Sequence, residues 1–167
     1  MIFYNLFLYL LFPIAILRLF SKKEFNVAQI KRIKERLGLK QHLNCEEPIW
    51  IHAVSVGEVK VAVLLVKELK KIFSDSNFLV TTSTVTGSNE VTKSFGSEVA
   101  HQYLPYDLNG VIKKFLINLN PKCLILVETE VWPNLISNCK KAEIPLILLN
   151  GRMLSLIHIS EPTRRRT

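Results

Sequence analysis

Short apolar runs and amphipathic stretches alternate along the middle of the chain. Ile49 to Val54, apolar apart from His52, predicts a strand. From Val59 to Phe73, Val59, Val63, Val66, Leu69 and Phe73 recur at helical spacing against Lys60, Lys67, Lys70 and Lys71. The same punctuation continues: strands over Phe78–Thr82, Val99–Leu104, Leu124–Val127 and Leu146–Leu149, with helices over Ser88–Phe95, Gly110–Leu119 and Trp132–Lys140. Strand and helix in strict alternation predict an α/β fold, a parallel sheet wound with helices. In open sheets of this kind ligands sit outside the carboxyl ends of the strands, so the strand-to-helix junctions are where chemistry is expected.

The amino terminus follows another pattern. Met1 to Phe20 is almost wholly apolar and as a helix would extend about 30 Å, just enough to cross a bilayer. No Lys or Arg precedes the run, whereas Arg18, Lys22 and Lys23 follow it, so it reads as an uncleaved transmembrane anchor with the rest of the chain in the cytoplasm. A hydrophobic helix buried against the core is the alternative, favoured by Pro13 and the short apolar length. A basic helix over Asn26–Leu37 follows, whose Lys31, Arg32, Lys34 and Arg36, with Lys40 just beyond, are expected to face anionic headgroups of membrane phospholipid. The expected organisation is an anchor at 1–21, a basic juxtamembrane helix and loop at 22–47, an α/β lobe at 48–153, and a separate tail at 154–167.

The net charge of +8 invites a nucleic-acid partner, but its distribution removes that reading. Residues 1–41 hold eight basic and two acidic side chains, residues 42–153 hold eleven of each, and the last fourteen residues hold three Arg and one Glu. The presumptive sheet is neutral, so no nucleic-acid partner is expected. With 49% apolar and 22% charged residues the chain is a folding sequence, and Cys45, Cys123 and Cys139, odd in number and without CxxC spacing, read as reduced thiols.

Three junctions carry candidate chemistry. In Ser55-Val56-Gly57-Glu58 a carboxylate opens a helix directly after a strand. It suits the helix macrodipole as a simple N-terminal charge, and it equally suits a general base that a substrate hydroxyl reaches past the bare Gly57. The hydroxyl-rich Thr81 to Ser88 segment can cap a helix or bind sugar hydroxyls and phosphate, and it lacks the order of a P-loop. Glu128-Thr129-Glu130 follows the fourth strand; on an extended backbone its two carboxylates point to opposite sides, and Trp132 beyond them can pack or stack on a sugar ring. His52, alternating within a strand, reads as a buried structural histidine, and no pair of histidines has metal-ligand spacing, so neither metal nor other cofactor is expected.

Taken in order, Trp50-Ile51-His52-Ala53-Val54-Ser55-Val56-Gly57-Glu58, Thr81-Thr82-Ser83-Thr84-Val85-Thr86-Gly87, Tyr103-Leu104-Pro105-Tyr106-Asp107, Glu128-Thr129-Glu130-Val131-Trp132-Pro133-Asn134-Leu135 and Asn150-Gly151-Arg152 resemble the amino-terminal half of bacterial 3-deoxy-D-manno-octulosonic acid (Kdo) transferases. The resemblance covers roughly residues 1–153. It implies the Rossmann-like acceptor lobe of a two-lobed GT-B glycosyltransferase that moves Kdo from CMP-Kdo onto the lipid A precursor at the cytoplasmic face of the inner membrane. In that family the carboxylate matching Glu58 accepts the proton of the attacking hydroxyl and the one matching Glu128 stabilises the transition state. Ser55, Gly57, Thr82, Thr86, Gly87, Glu130 and Arg152 are the expected substrate-binding positions. The family's donor site lies in a second lobe, and a chain lacking it is expected to be inactive.

After Met153 the pattern breaks. Leu154 to Arg164 resembles the translation of a sequencing adapter, so His158 and Arg164 to Arg166 are set aside from functional argument. A reading from another class is a membrane-tethered α/β binding module without catalysis.

Overall fold

The computed structural model describes residues 2–20, 27–39, 45–128 and 132–149. Two helices, α1 (Ile2–Phe20) and α2 (Val27–Arg36), precede the alternating series β1 (Ile49–His52), α3 (Val56–Ile72), β2 (Phe78–Thr82), α4 (Val85–Phe95), β3 (Ala100–Tyr103), α5 (Asn109–Leu119), β4 (Cys123–Val127), α6 (Pro133–Lys141) and β5 (Leu146–Leu149). The strands form one five-stranded sheet in the order β3-β2-β1-β4-β5, every neighbouring pair parallel. This is the expected Rossmann-like α/β architecture.

Both faces of the sheet are buried. Ile49, Ile51, Val80 and Ile125 meet Val59, Ala62 and Val66 of α3 and Val91 and Phe95 of α4 on one side. Trp50, Leu79, Leu124 and Leu126 meet Ile112, Phe115 and Leu116 of α5 and Leu135 and Cys139 of α6 on the other. The central strands read as continuous apolar runs because neither face meets water. Edge strand β5 differs, with Ile147 and Leu148 about half exposed. Cys45, Cys123 and Cys139 are free thiols, and burial raises all three, Cys139 to about 11.

Helix α4 starts three residues earlier than the hydroxyl pattern suggests. Thr84 caps it by accepting from the Gly87 amide at 3.1 Å, which draws Val85, Thr86 and Gly87 into the helix. The Thr84 hydroxyl itself donates to the Val54 carbonyl at 3.0 Å, pinning the start of α4 to the end of β1.

At the amino terminus both helices contact the lobe. Among the described residues no helix is long and apolar enough to cross a membrane. Helix α1 contacts the lobe: Tyr4 donates to Asp107 at 2.8 Å, Asn5 accepts from Asn134 at 2.7 Å, and the Phe12 and Tyr106 rings meet edge to face at 5.3 Å. Its opposite face, Phe3, Leu6, Phe7 and Leu10, is exposed. The basic helix α2 also turns charge inward. Arg32 donates to the Ser83 carbonyl at 2.8 Å and lies 4.9 Å from the Tyr103 ring centroid, and Arg36 lies 4.2 Å from that of Tyr106. Guanidinium groups gain attraction on aromatic faces, so Arg32 and Arg36 contribute to the lobe's packing, while Lys34 is exposed.

Candidate active site at the carboxyl ends of the strands

From β1 the chain steps outward to β2 and β3 on one side, then returns to place β4 on the other flank of β1. The order therefore reverses between β1 and β4, and the crevice outside the carboxyl ends of those two strands is the topological switch point where open α/β sheets bind ligands. The residues following β1 include Glu58, and the residue following β4 is Glu128. Parallel pairing of Ile49–His52 with Cys123–Leu126 sets these junctions side by side.

Glu58 is buried, at 6% exposure, in the first turn of α3. Its carboxylate accepts from the Val54 amide at 2.7 Å, the Ser55 hydroxyl at 2.8 Å and the Ser55 amide at 3.3 Å, while the Ser55 hydroxyl accepts from the Glu58 amide at 3.4 Å. This is a reciprocal capping box that fixes the carboxylate against the end of β1. Ser55 and Gly57 are exposed beside it. A Cβ on Gly57 would meet only the Ser55 hydroxyl, at 3.8 Å, outside the two adjoining residues and its own helix backbone.

The hydroxyl-rich segment divides. Thr82 is fully buried and shares a 3.0 Å hydrogen bond with the His101 ring. Gly87 is buried under Thr84 and the Val54 carbonyl, where a Cβ would lie 2.9 and 3.2 Å away. Both are therefore packing positions behind the crevice, whereas Thr86 is exposed. Glu130 and Arg152 lie outside the described residues.

Glu128 is exposed, and its backbone departs from the extended form that the Glu-Thr-Glu spacing suggested: φ is 66°, in the left-handed region that costs a residue with a Cβ roughly 1–2 kcal/mol. Its amide donates to the Leu149 carbonyl at 2.8 Å, so the turn out of β4 is fastened to β5. Strain of this kind clusters where a side chain must be aimed. Trp132, the residue before α6, packs on the core face beneath α6, its ring 6.4 Å from that of His52.

His52 is fully buried, its Nδ1 2.9 Å from the Thr81 hydroxyl and 3.1 Å from the Thr81 carbonyl. Burial pulls its pKa from 6.5 down to about 4, against a smaller raising effect of the Thr81 carbonyl. The folded state therefore binds fewer protons than the unfolded chain between those values, and stability falls as pH drops from 6.5 toward 4, by about 3 kcal/mol in total. Urea midpoints should decline over that interval, and His52→Gln should remove this part of the decline. Parallel curves for the two proteins would show that His52 does not titrate this way.

Sequence reasoning missed Asp107 as a functional candidate, although it stands in a quoted motif. It is 5% exposed and accepts from the amides of Asn134 at 3.0 Å and Leu135 at 2.8 Å as well as from Tyr4. Burial pushes its carboxyl above the ordinary range, partly offset by these donors. Its long-range partners leave no local signal.

The chain is thus a Rossmann-like α/β lobe with a buried, hydrogen-bonded carboxylate at its switch point. The family model for 3-deoxy-D-manno-octulosonic-acid transferase (kdotransferase) matches residues 31–156, and the chain belongs to this family. It is 42% identical over 125 residues to a 3-deoxy-D-manno-octulosonic acid transferase of Haemophilus influenzae, covering 74% of this chain and 29% of the relative. It is 36% identical over 146 residues to the transferase of that name from Rickettsia bellii, covering 87% and 35%. A bifunctional glycosyltransferase/methyltransferase of Fusobacterium nucleatum is 34% identical over 142 residues, covering 84% and 22%. The chain thus spans about a third or less of the length of these relatives.

Proposed function

We propose that the complete protein transfers Kdo from CMP-Kdo to a hydroxyl of the lipid A precursor, lipid IVA, with inversion, and that this chain supplies the acceptor lobe and the base. The observation that carries the reading is the placement of Glu58 and Glu128 at the ends of the two strands flanking the switch point. The acceptor oxygen attacks the anomeric carbon of Kdo, the bond from that carbon to the CMP phosphate oxygen breaks with its electron pair leaving on CMP, and the hydroxyl proton passes to Glu58. A sugar hydroxyl is a weak nucleophile, and a positioned base contributes typically ~10²–10⁴-fold. The Ser55 hydroxyl, exposed and donating to the Glu58 carboxylate, occupies the position an incoming hydroxyl takes when it displaces Ser55. Gly57 and Thr86 border the same opening, and Glu128 faces the positive charge that develops on the sugar ring. Thr82 and Gly87 shape the wall from behind, and Glu130 and Arg152 are assigned to substrate by resemblance alone.

The lipid acceptor places the enzyme at the cytoplasmic face of the inner membrane. Helix α1, bonded to the lobe through Tyr4 and Asn5, is the membrane anchor and presents Phe3, Leu6, Phe7 and Leu10 to the bilayer. The protein should float with anionic phospholipid vesicles, and replacing those four residues by Ser should release it; unchanged flotation would contradict this attachment. The transfer reading is tested by incubating the complete protein with CMP-Kdo and lipid IVA. Kdo-bearing lipid is expected, with one free CMP for each Kdo joined to it, and the absence of both products would overturn the reading. A non-catalytic binding module is favoured only by the capping box, which gives Glu58 a structural task.

A further inference from the structure

Helix α6 begins without a cap of its own. Trp132, at its N-cap position, makes no side-chain cap bond, and Pro133, the first helical residue, has no amide hydrogen. The next two amides, of Asn134 and Leu135, both donate to the carboxylate of Asp107, 27 and 28 residues upstream, and the Ile136 amide then makes the first bond within the helix. Asp107 is thus a bidentate cap delivered from the loop between β3 and α5. It is itself clamped: Tyr4 donates to the same oxygen as Asn134, the Asn134 side-chain amide returns to the Asp107 carbonyl, and that amide also reaches Asn5. Three segments distant in sequence meet on one buried carboxylate.

Glu128 and the start of α6 are therefore each pinned by bonds to other elements. The Glu128 amide is bonded to Leu149, and the start of α6 is bonded to Asp107. We propose that Asp107 is a positioning residue for transfer: by fixing the first turn of α6 it holds Trp132 beside His52 at the carboxyl end of β1, on the crevice that Glu128 borders, with α1 as the outer jaw of the clamp. This rests on the reading that Glu128 serves transfer. A purely structural cap would cost about 0.5–2 kcal/mol of stability and nothing else. A positioning cap has a kinetic signature, because a displacement of about 1 Å by a residue away from the chemistry can cost ~10²-fold in rate.

The test is steady-state transfer by the complete protein, well below its melting temperature, for Asp107→Asn, Tyr4→Phe, Glu128→Gln and a stability control, Val91→Ala, buried in the opposite core face. Asp107→Asn is expected to lower kcat about tenfold or more, within the range set by such misplacement, with KM for CMP-Kdo unchanged, while Val91→Ala retains kcat despite comparable destabilisation. Wild-type kcat in folded Asp107→Asn, alongside a kcat loss in Glu128→Gln, would overturn the clamp and leave the proposed function standing. Wild-type kcat in Glu128→Gln would remove the reading beneath it and the clamp with it. If Asp107→Asn does not fold, Tyr4→Phe decides, since it leaves both α6 amides capped: a reduced kcat at constant KM supports the clamp, and an unchanged kcat overturns it.

Discussion

Replacing Glu58 by Gln in the complete protein should lower the single-turnover rate of Kdo transfer by ~10²–10⁴-fold while leaving a folded enzyme. The substitution keeps the shape of the side chain and one carbonyl oxygen, so part of the capping box survives. What is lost structurally is a charge in the first turn of α3, about 0.3–1 kcal/mol, and one acceptor for the Val54 or Ser55 donors, about 1 kcal/mol. What is lost chemically is the group that takes the acceptor's proton. An amide cannot replace it, so the two losses differ greatly in size and can be told apart. Binding of the lipid acceptor should change little, because Ser55, Gly57 and Thr86 still present the same opening.

The second large effect concerns the chain by itself. Residues 1–167 alone should show no transfer from CMP-Kdo, although they should still fold around the two buried faces of the sheet. The chain spans 29% and 35% of the Haemophilus and Rickettsia relatives, and the proposed function assigns the donor to a lobe opposite the acceptor. Bringing donor and acceptor together in one closed cleft is worth about 7–11 kcal/mol of the barrier in favourable cases, and a single lobe forfeits it. Labelled CMP-Kdo should stay intact with the purified chain under conditions in which the complete protein consumes it. Transfer by the chain at more than about 1% of the complete protein's rate would show that proximity across two lobes is not needed.

Much of the fold was legible because the signals were local. The apolar runs Ile49–His52, Phe78–Thr82 and Cys123–Val127 are strands buried on both faces, and the periodic Val59, Val66 and Leu69 side of α3 packs on them. The start of α4 was misplaced because Thr81 to Ser88 offers several hydroxyls, and only the tertiary bond from Thr84 to the Val54 carbonyl selects Thr84 as the cap. The strand order, and with it the switch point, is not written in the alternation of strand and helix: β4 could have followed β3 outward. Likewise nothing in the apolar run of α1 shows that Tyr4 and Asn5 meet partners 103 and 129 residues away. Arg32 and Arg36 read as surface charge until Tyr103 and Tyr106 stand beneath them.

The candidate site was legible in the same uneven way. Ser55, Gly57 and Glu58 announce a helix start after a strand, and the capping box is what their spacing predicts. Thr82 and Gly87 sit in an equally suggestive motif yet are buried, since their neighbours in space, His101 and Val54, come from other elements. Asp107 carried no local cue, because it caps a helix that begins 26 residues later.

The central claim is that Glu58 is a base as well as a cap, and it is tested most directly by measuring transfer rate and thermal midpoint together for Glu58→Gln in the complete protein, with Val91→Ala as the control that destabilises without touching the crevice. The account predicts a rate loss of ~10²-fold or more in Glu58→Gln at a midpoint no lower than that of Val91→Ala, whose rate stays near wild type. Equal rates in the two variants would contradict it and leave Glu58 with its structural task alone.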